Sequence, residues 1–197
     1  MNNYKALGKI TLLMWLFLGA TNTYSQNKET TKSATAVLER LIGKRAAEFD
    51  LSIIENKNPA NGDSFEVATT ASRVKIKGTS NTVLCYAAYT FLGDIGAVSV
   101  SWEGNRISLP KTWPKYAKKA STPFKYREYL NACTFGYTTP WWDWKRWEQE
   151  IDWMALHGIN LPTAMEGQEA VWQQLWKEYG VTNSQLKAHF AGPAFLH

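Results

Sequence analysis

Apolar positions recur along this chain with two periods, and the architecture they predict changes midway. Leu38, Leu41 and Ile42 stand at helical spacing, which predicts an amphipathic helix over residues 34–47. Alternation then predicts strands over residues 49–55, 65–70 and 73–78, with Val74 and Ile76 on one face and Asn61-Gly62 as a turn between the first two. Ser80 is placed to cap a second helix lined by Leu84, Ala88, Phe91 and Leu92, and Gly93 and Gly96 mark its end. Short strands over 98–102 and 106–109 flank a Glu103-Gly104-Asn105 turn. Together these elements predict a small α+β domain over residues 34–110, large enough for a modest core.

Pro110, Pro114 and Pro123 punctuate a stretch rich in lysine (Lys111, Lys115, Lys118, Lys119), read as a solvated linker over 111–123. Beyond it the pattern becomes strand, helix, strand, helix: residues 126–133, 143–157, 159–164 and 168–179. Such alternation is the signature of parallel βα units. Trp144, Trp147, Ile151 and Met154 give the first of these helices a stripe, and Gly158 stands where a terminating glycine belongs, with His157 beside it as a cap. Thr182 with Gln185 three residues on announces a capped third helix. Residues 124–197 therefore read as about two βα units, the first part of an incomplete eight-unit barrel, since a whole one takes about 250 residues.

The opening residues change the expected compartment. Lys5 and Lys9 precede an apolar run of about eleven residues (10–20) and a polar segment with small residues at Thr23 and Ser25. A membrane helix needs about 20 apolar residues, so residues 1–25 read as a signal peptide cut after Ser25, with 26–33 as a polar lead-in. The mature protein is then secreted or periplasmic, with no membrane span. Cleavage removes only Lys5 and Lys9 among charged side chains, lowering the formal charge from +5 to +3. A balance that mild does not favour nucleic acid. Two cysteines, Cys85 and Cys133, exclude a disulfide scaffold, and His157, His189 and His197 lack metal-site spacing.

Candidate chemistry gathers on the loops after the strands, where parallel βα folds build their sites. One loop carries Tyr137, Trp141 and Trp142; the other carries Glu166, Gln168 and Glu169 beside Gly167. Flat indole rings suit the apolar faces of sugars. Trp144 and Trp147 are expected to be buried packing, whereas Trp141 and Trp142 are left between packing and ligand contact. Glu148, Glu150 and Asp152 with Lys145 and Arg146 read as solvated helix surface, and Asp143 as a helix cap. Glu169 suits the first turn of a helix.

Six segments in order carry a resemblance: Tyr129-Leu130-Asn131-Ala132-Cys133-Thr134, Trp141-Trp142-Asp143-Trp144, Glu150-Ile151-Asp152-Trp153-Met154-Ala155-Leu156, Gly158-Ile159-Asn160-Leu161, Gly167-Gln168-Glu169-Ala170 and Gly192-Pro193-Ala194-Phe195-Leu196. Together they resemble the start of the catalytic domain of the alpha-N-acetylglucosaminidases, glycoside hydrolase family 89. The resemblance implies a (β/α)8 TIM barrel that removes terminal alpha-linked N-acetylglucosamine with retention and without metal or organic cofactor. It also implies that the catalytic glutamates lie on later strands, past His197. By the same resemblance Asn131 and Cys133 match sugar-contacting positions. Met165 matches a position where the human-type enzyme has a tryptophan, and Glu166 shares that loop. The expected partner is a glycan ending in alpha-linked N-acetylglucosamine; the rival reading is a non-catalytic carbohydrate-binding module.

Overall fold

The structure, a computed structural model, describes residues 30–57, 62–131, 133–134, 138–163 and 168–190. The expected signal segment, Met165 and Glu166 lie outside the described residues. Helix α1 (Lys32–Ile42) forms where Ala34, Val37, Leu38 and Ile42 return to one side, and all four are buried. At Gly43, in the left-handed region at φ +59°, the chain tightens into a 3₁₀ segment, Gly43–Glu48, so the expected 34–47 helix is two elements.

Strands β1 (Phe49–Ile53), β2 (Ser64–Thr69) and β3 (Val74–Gly78) follow. β3 lies between the other two, parallel to β1 and antiparallel to β2. Phe49, Phe65, Val67, Val74 and Ile76 turn inward against helix α2 (Asn81–Asp94), which buries Val83, Leu84, Ala87, Ala88, Phe91 and Leu92. Ser80 caps α2 as expected, its Oγ accepting from the Val83 N–H at 3.3 Å. A Cβ at Gly78 would stand 3.1 Å from side-chain carbons of Val83 and Leu84, so glycine lets sheet and helix approach there. The hairpin β4 (Val98–Ser101) and β5 (Gly104–Ile107) is a separate two-stranded sheet, with its turn at Trp102 and Glu103.

The linker expected over 111–123 is corrected by the structure. Residues 117–121 form strand β6 (Ala117–Ser121), which pairs antiparallel with β2 and completes the sheet in the order β1-β3-β2-β6. Trp113 is buried in the core with Phe49 and Phe91 edge-on to its ring at 5.5 and 5.6 Å. Proline and lysine suit an edge strand, where N–H groups can face solvent and charge blocks further pairing, so the composition of a linker and of an edge strand coincide. Lys118 and Lys119 pair with Asp94 and Glu66 at 2.8 and 2.6 Å.

Among the carboxylates of this domain held below their ordinary pKa are Glu48, by the Arg45 guanidinium and the Trp113 indole, and Asp94, by Lys118 and the Tyr116 hydroxyl. Groups whose pKa folding lowers contribute stability above their unfolded value, about 4, and that contribution is lost as pH falls through the folded value. Urea midpoints are therefore expected to be flat near neutral pH and to decline below about pH 5. In Glu48→Gln and Asp94→Asn variants that acid decline should be shallower; an unchanged decline would show that these pairs do not contribute to it.

In the second half, β7 (Glu128–Tyr129) and β8 (Leu161–Pro162) are parallel neighbours joined by helix α3 (Trp144–Leu156). Helices α4 (Gln168–Glu178) and α5 (Asn183–His189) follow, the latter with the Thr182–Gln185 capping box expected from sequence. Strand, helix, strand, helix is thus the observed order, without a closed barrel among the described residues. The ordered strand is much shorter than the 126–133 expected. Asp143 caps α3, accepting from the Arg146 N–H at 2.8 Å, and Gly158 ends it at φ +74°. At that end the His157 Nδ1 donates to the Trp153 carbonyl at 2.7 Å, which bears out its place as a cap.

The stripe expected on α3 is corrected in part: Met154 is buried as expected and Trp147 is half-buried. Trp144 is 70% exposed and Ile151 45%, whereas Glu150, expected in solvent, is 1% exposed. The helix is gripped from two sides. Leu156 joins the core of the small domain and Asp152 pairs with Arg40 of α1, both guanidinium contacts being 2.6 Å. On another side Trp153 meets Tyr129 of β7, ring centroids 5.1 Å apart. The periodicity was right; which stripe faces in depended on partners far away in sequence.

Candidate functional site

The two parallel strands end side by side, and that edge carries the candidate residues. The Thr163 N–H donates to the Tyr129 carbonyl at 2.9 Å, and the Thr163 hydroxyl reaches Glu128 at 3.1 Å. Immediately past β7 the backbone passes through Leu130 at φ +69°, the one non-glycine with positive φ among the described residues. A leucine there costs on the order of 1 kcal/mol, and such outliers cluster where a fold over-determines a functional loop.

That bend delivers Asn131, whose side chain folds the following turn. Its Oδ1 accepts from the N–H groups of Cys133 and Thr134 at 2.9 and 3.2 Å, and its carbonyl accepts from the Thr134 hydroxyl at 2.9 Å. Asparagine is suited to this because a short side-chain carbonyl can stand in for a backbone acceptor. Both Asn131 and Cys133 are exposed. The amide nitrogen of Asn131 is thus the donor this residue can offer to a ligand while its oxygen holds the loop. Met165 and Glu166 follow Thr163 in the chain, outside the described residues.

Behind the strand lies a network that sequence reasoning missed. The buried Glu150 pairs with Arg146, one helical turn earlier, at 2.9 Å. Burial and the neighbouring Glu150 carboxylate push the Tyr129 phenol up to about 12. Arg146 lies over the Trp142 ring at 3.9 Å and the Trp102 ring at 5.2 Å, and Trp147 meets Trp142 edge-on at 4.9 Å. Trp142, left open between packing and ligand contact, is therefore half-buried in an arginine–aromatic stack, while Trp141 remains 63% exposed. An i,i+4 Arg–Glu pair beside two tryptophans was the available signal.

Both cysteines are free thiols. Burial pushes Cys85 up to about 12, while Cys133 is exposed. A maleimide is expected to label one thiol rapidly in the native protein, at Cys133, and a second only after unfolding. Rapid labelling of both in native buffer would contradict the burial of Cys85. Among the described residues no group of three His, Cys, Asp or Glu side chains could hold a metal ion, and no helix is long and apolar enough to cross a membrane.

Comparisons with known proteins place the chain in a family. Residues 32–115 match the alpha-N-acetylglucosaminidase N-terminal domain, and residues 127–197 match the alpha-N-acetylglucosaminidase TIM-barrel domain. Human alpha-N-acetylglucosaminidase is 36% identical over 186 residues, 92% of this chain and 25% of that protein. A family 89 glycoside hydrolase from Clostridium perfringens, solved with its substrate GlcNAc-alpha-1,4-galactose, superposes with a TM-score of 0.77 at 29% identity, covering 89% of this chain and 20% of that one. The same bacterial enzyme in complex with PUGNAc gives equal values. The chain thus spans a quarter or less of the length of these relatives. On both domain matches, in order along the sequence, the chain belongs to the alpha-N-acetylglucosaminidase family, glycoside hydrolase family 89.

Proposed function

We propose that this chain is the amino-terminal part of an exported exo-glycosidase that hydrolyses terminal alpha-linked N-acetylglucosamine with retention. The observation that carries the reading is the placement of Asn131 and Cys133 just past the end of a parallel barrel strand, the edge where barrel enzymes build their sites, in a chain of this family. The bacterial relative's complex with GlcNAc-alpha-1,4-galactose supports a glycan with that terminal sugar as partner. In this reading Asn131 and Cys133 form part of the pocket wall, with Met165 and more weakly Glu166 on the next loop. The two carboxylates that act as acid/base and nucleophile belong to later barrel strands, spaced about 5 to 5.5 Å apart as retention requires. Export follows from the leader over residues 1–25, and neither metal nor organic cofactor takes part.

Two measurements test this. Purified residues 26–197 are expected to give no turnover of an aryl alpha-N-acetylglucosaminide above the uncatalysed rate, because the carboxylate pair is supplied elsewhere; measurable hydrolysis would place catalysis on Glu166 or Glu169. A product carrying the remaining barrel strands is expected to hydrolyse the same substrate, with the alpha anomer appearing first by proton NMR. Failure of that longer product to hydrolyse it, while still binding the sugar, would favour the carbohydrate-binding module.

A further inference from the structure

Asn131 is held from two sides. On the far side its own Oδ1 gathers the Cys133 and Thr134 N–H groups at 2.9 and 3.2 Å. On the near side the chain passes through Leu130 at φ +69°, a conformation that a leucine keeps only where its surroundings over-determine it. The residue before that bend, Tyr129, is fixed at three points. Its carbonyl accepts from the Thr163 N–H at 2.9 Å, its ring meets Trp153 with centroids 5.1 Å apart, and its phenol donates to the Glu150 carboxylate. Glu150 is 1% exposed and pairs with Arg146, one helical turn earlier, at 2.9 Å. Arg146 lies in turn over the Trp142 and Trp102 rings, so the β4–β5 hairpin of the small domain backs the same network. A hydrogen bond to a charged acceptor is about twice as strong as one between neutral groups. Buried ion pairs, however, seldom stabilise a fold more than apolar residues of the same volume. What this pair supplies behind β7 is orientation.

We propose that Glu150 is a positioning residue for the pocket wall: through the Tyr129 hydroxyl it fixes the end of β7, keeps Leu130 left-handed and so sets the Asn131 turn. With the Asn131 oxygen committed to that turn, its amide nitrogen is presented as a donor. The inference deepens the glycosidase reading and rests on it for the role of Asn131 toward the sugar.

The test is amide hydrogen exchange by NMR on the ¹⁵N-labelled full chain, read at Cys133 and Thr134, the two amides that Asn131 holds. Tyr129→Phe removes only the hydroxyl. In that variant the two amides should exchange about tenfold faster, while the amide of Ile76 in β3 keeps its protection. Glu150→Gln leaves the phenol an acceptor but loses the charge pair with Arg146, so a smaller, few-fold acceleration is expected. In a Leu130→Asn background, where asparagine tolerates the left-handed bend, Tyr129→Phe should accelerate exchange by no more than about twofold. A merely structural role for Glu150 would not give that rescue. Three results would overturn the proposal: unchanged exchange at Cys133 and Thr134 in either variant, an equal rise at Ile76, or no rescue by Leu130→Asn. No substrate enters these measurements, so their failure is distinct from that of the glycosidase reading, which an inert longer product would refute.

Discussion

Trp113→Ala is expected to destabilise the protein by about 3–5 kcal/mol, a large share of the 5–15 kcal/mol that usually separates folded from unfolded domains. The residue lies in a stretch whose composition is that of a linker, yet it is 3% exposed. Its ring packs against Phe49 and Phe91, lies under the Arg45 guanidinium at 4.4 Å, and donates from Nε1 to Glu48 at 2.7 Å. Removing it opens a cavity in the centre of the core and leaves a carboxylate without its donor. Trp113→Phe keeps most of the packing and loses the hydrogen bond, so a cost of about 1–2 kcal/mol is expected. Urea denaturation measures both. A midpoint for Trp113→Ala close to the parent's would mean that residues 110–121 are not part of the folded core.

Arg127→Ala is the second large effect, about 3 kcal/mol, and it should act on the second half of the chain selectively. Arg127 stands at the entrance to β7 and uses all three guanidinium nitrogens: Nε to the Gly158 carbonyl at 2.5 Å, Nη1 to the Phe124 carbonyl at 2.8 Å, and Nη2 to Asp63 at 2.7 Å. Its backbone N–H donates to Asn160, and its carbonyl accepts from the Asn160 and Leu161 N–H groups at the start of β8. One residue thus ties the β1–β2 connection of the small domain to both barrel strands and to the end of α3. Arg127→Lys should not rescue it, because a single ammonium cannot span three separate acceptors. In hydrogen exchange, the amides of Asn160 and Leu161 should lose protection while those of β3 keep theirs. A double-mutant cycle with Asp63→Asn should show about 1–3 kcal/mol of coupling. Uniform loss of protection across both halves would show that Arg127 supports the whole fold rather than the docking of its second part.

These two residues also mark where sequence reading succeeded and where it could not. The elements of the small domain were legible because each is amphipathic on its own: Val74 and Ile76 alternate, and Leu84, Ala88 and Phe91 recur at helical spacing. Caps were legible for a similar reason, since Ser80, Asp143 and the Thr182–Gln185 pair act within three residues of themselves. The candidate site was legible only through ordered motifs, because an asparagine and a cysteine after a two-residue strand carry no periodic signal.

What failed was assignment of burial where partners are remote. Glu150 resembled any solvated glutamate, but Arg146 and the neighbouring Tyr129 enclose it. Trp144 resembled core, but α3 turns other faces toward the small domain and β7.

Local chemistry, acting over a turn of helix or a few strand residues, determined which segments become helices and strands, where the capped helices begin and which family they belong to. Tertiary structure alone decided that 117–121 closes a sheet, that α3 presents Glu150 inward, and that the Trp102 hairpin meets α3 to form a crevice. The physical reason is range. Secondary structure is selected by neighbours a few residues apart, whereas burial of a charge or an edge strand depends on remote partners, 49 to 57 residues away for β2 and β6 and 112 for Arg40 and Asp152.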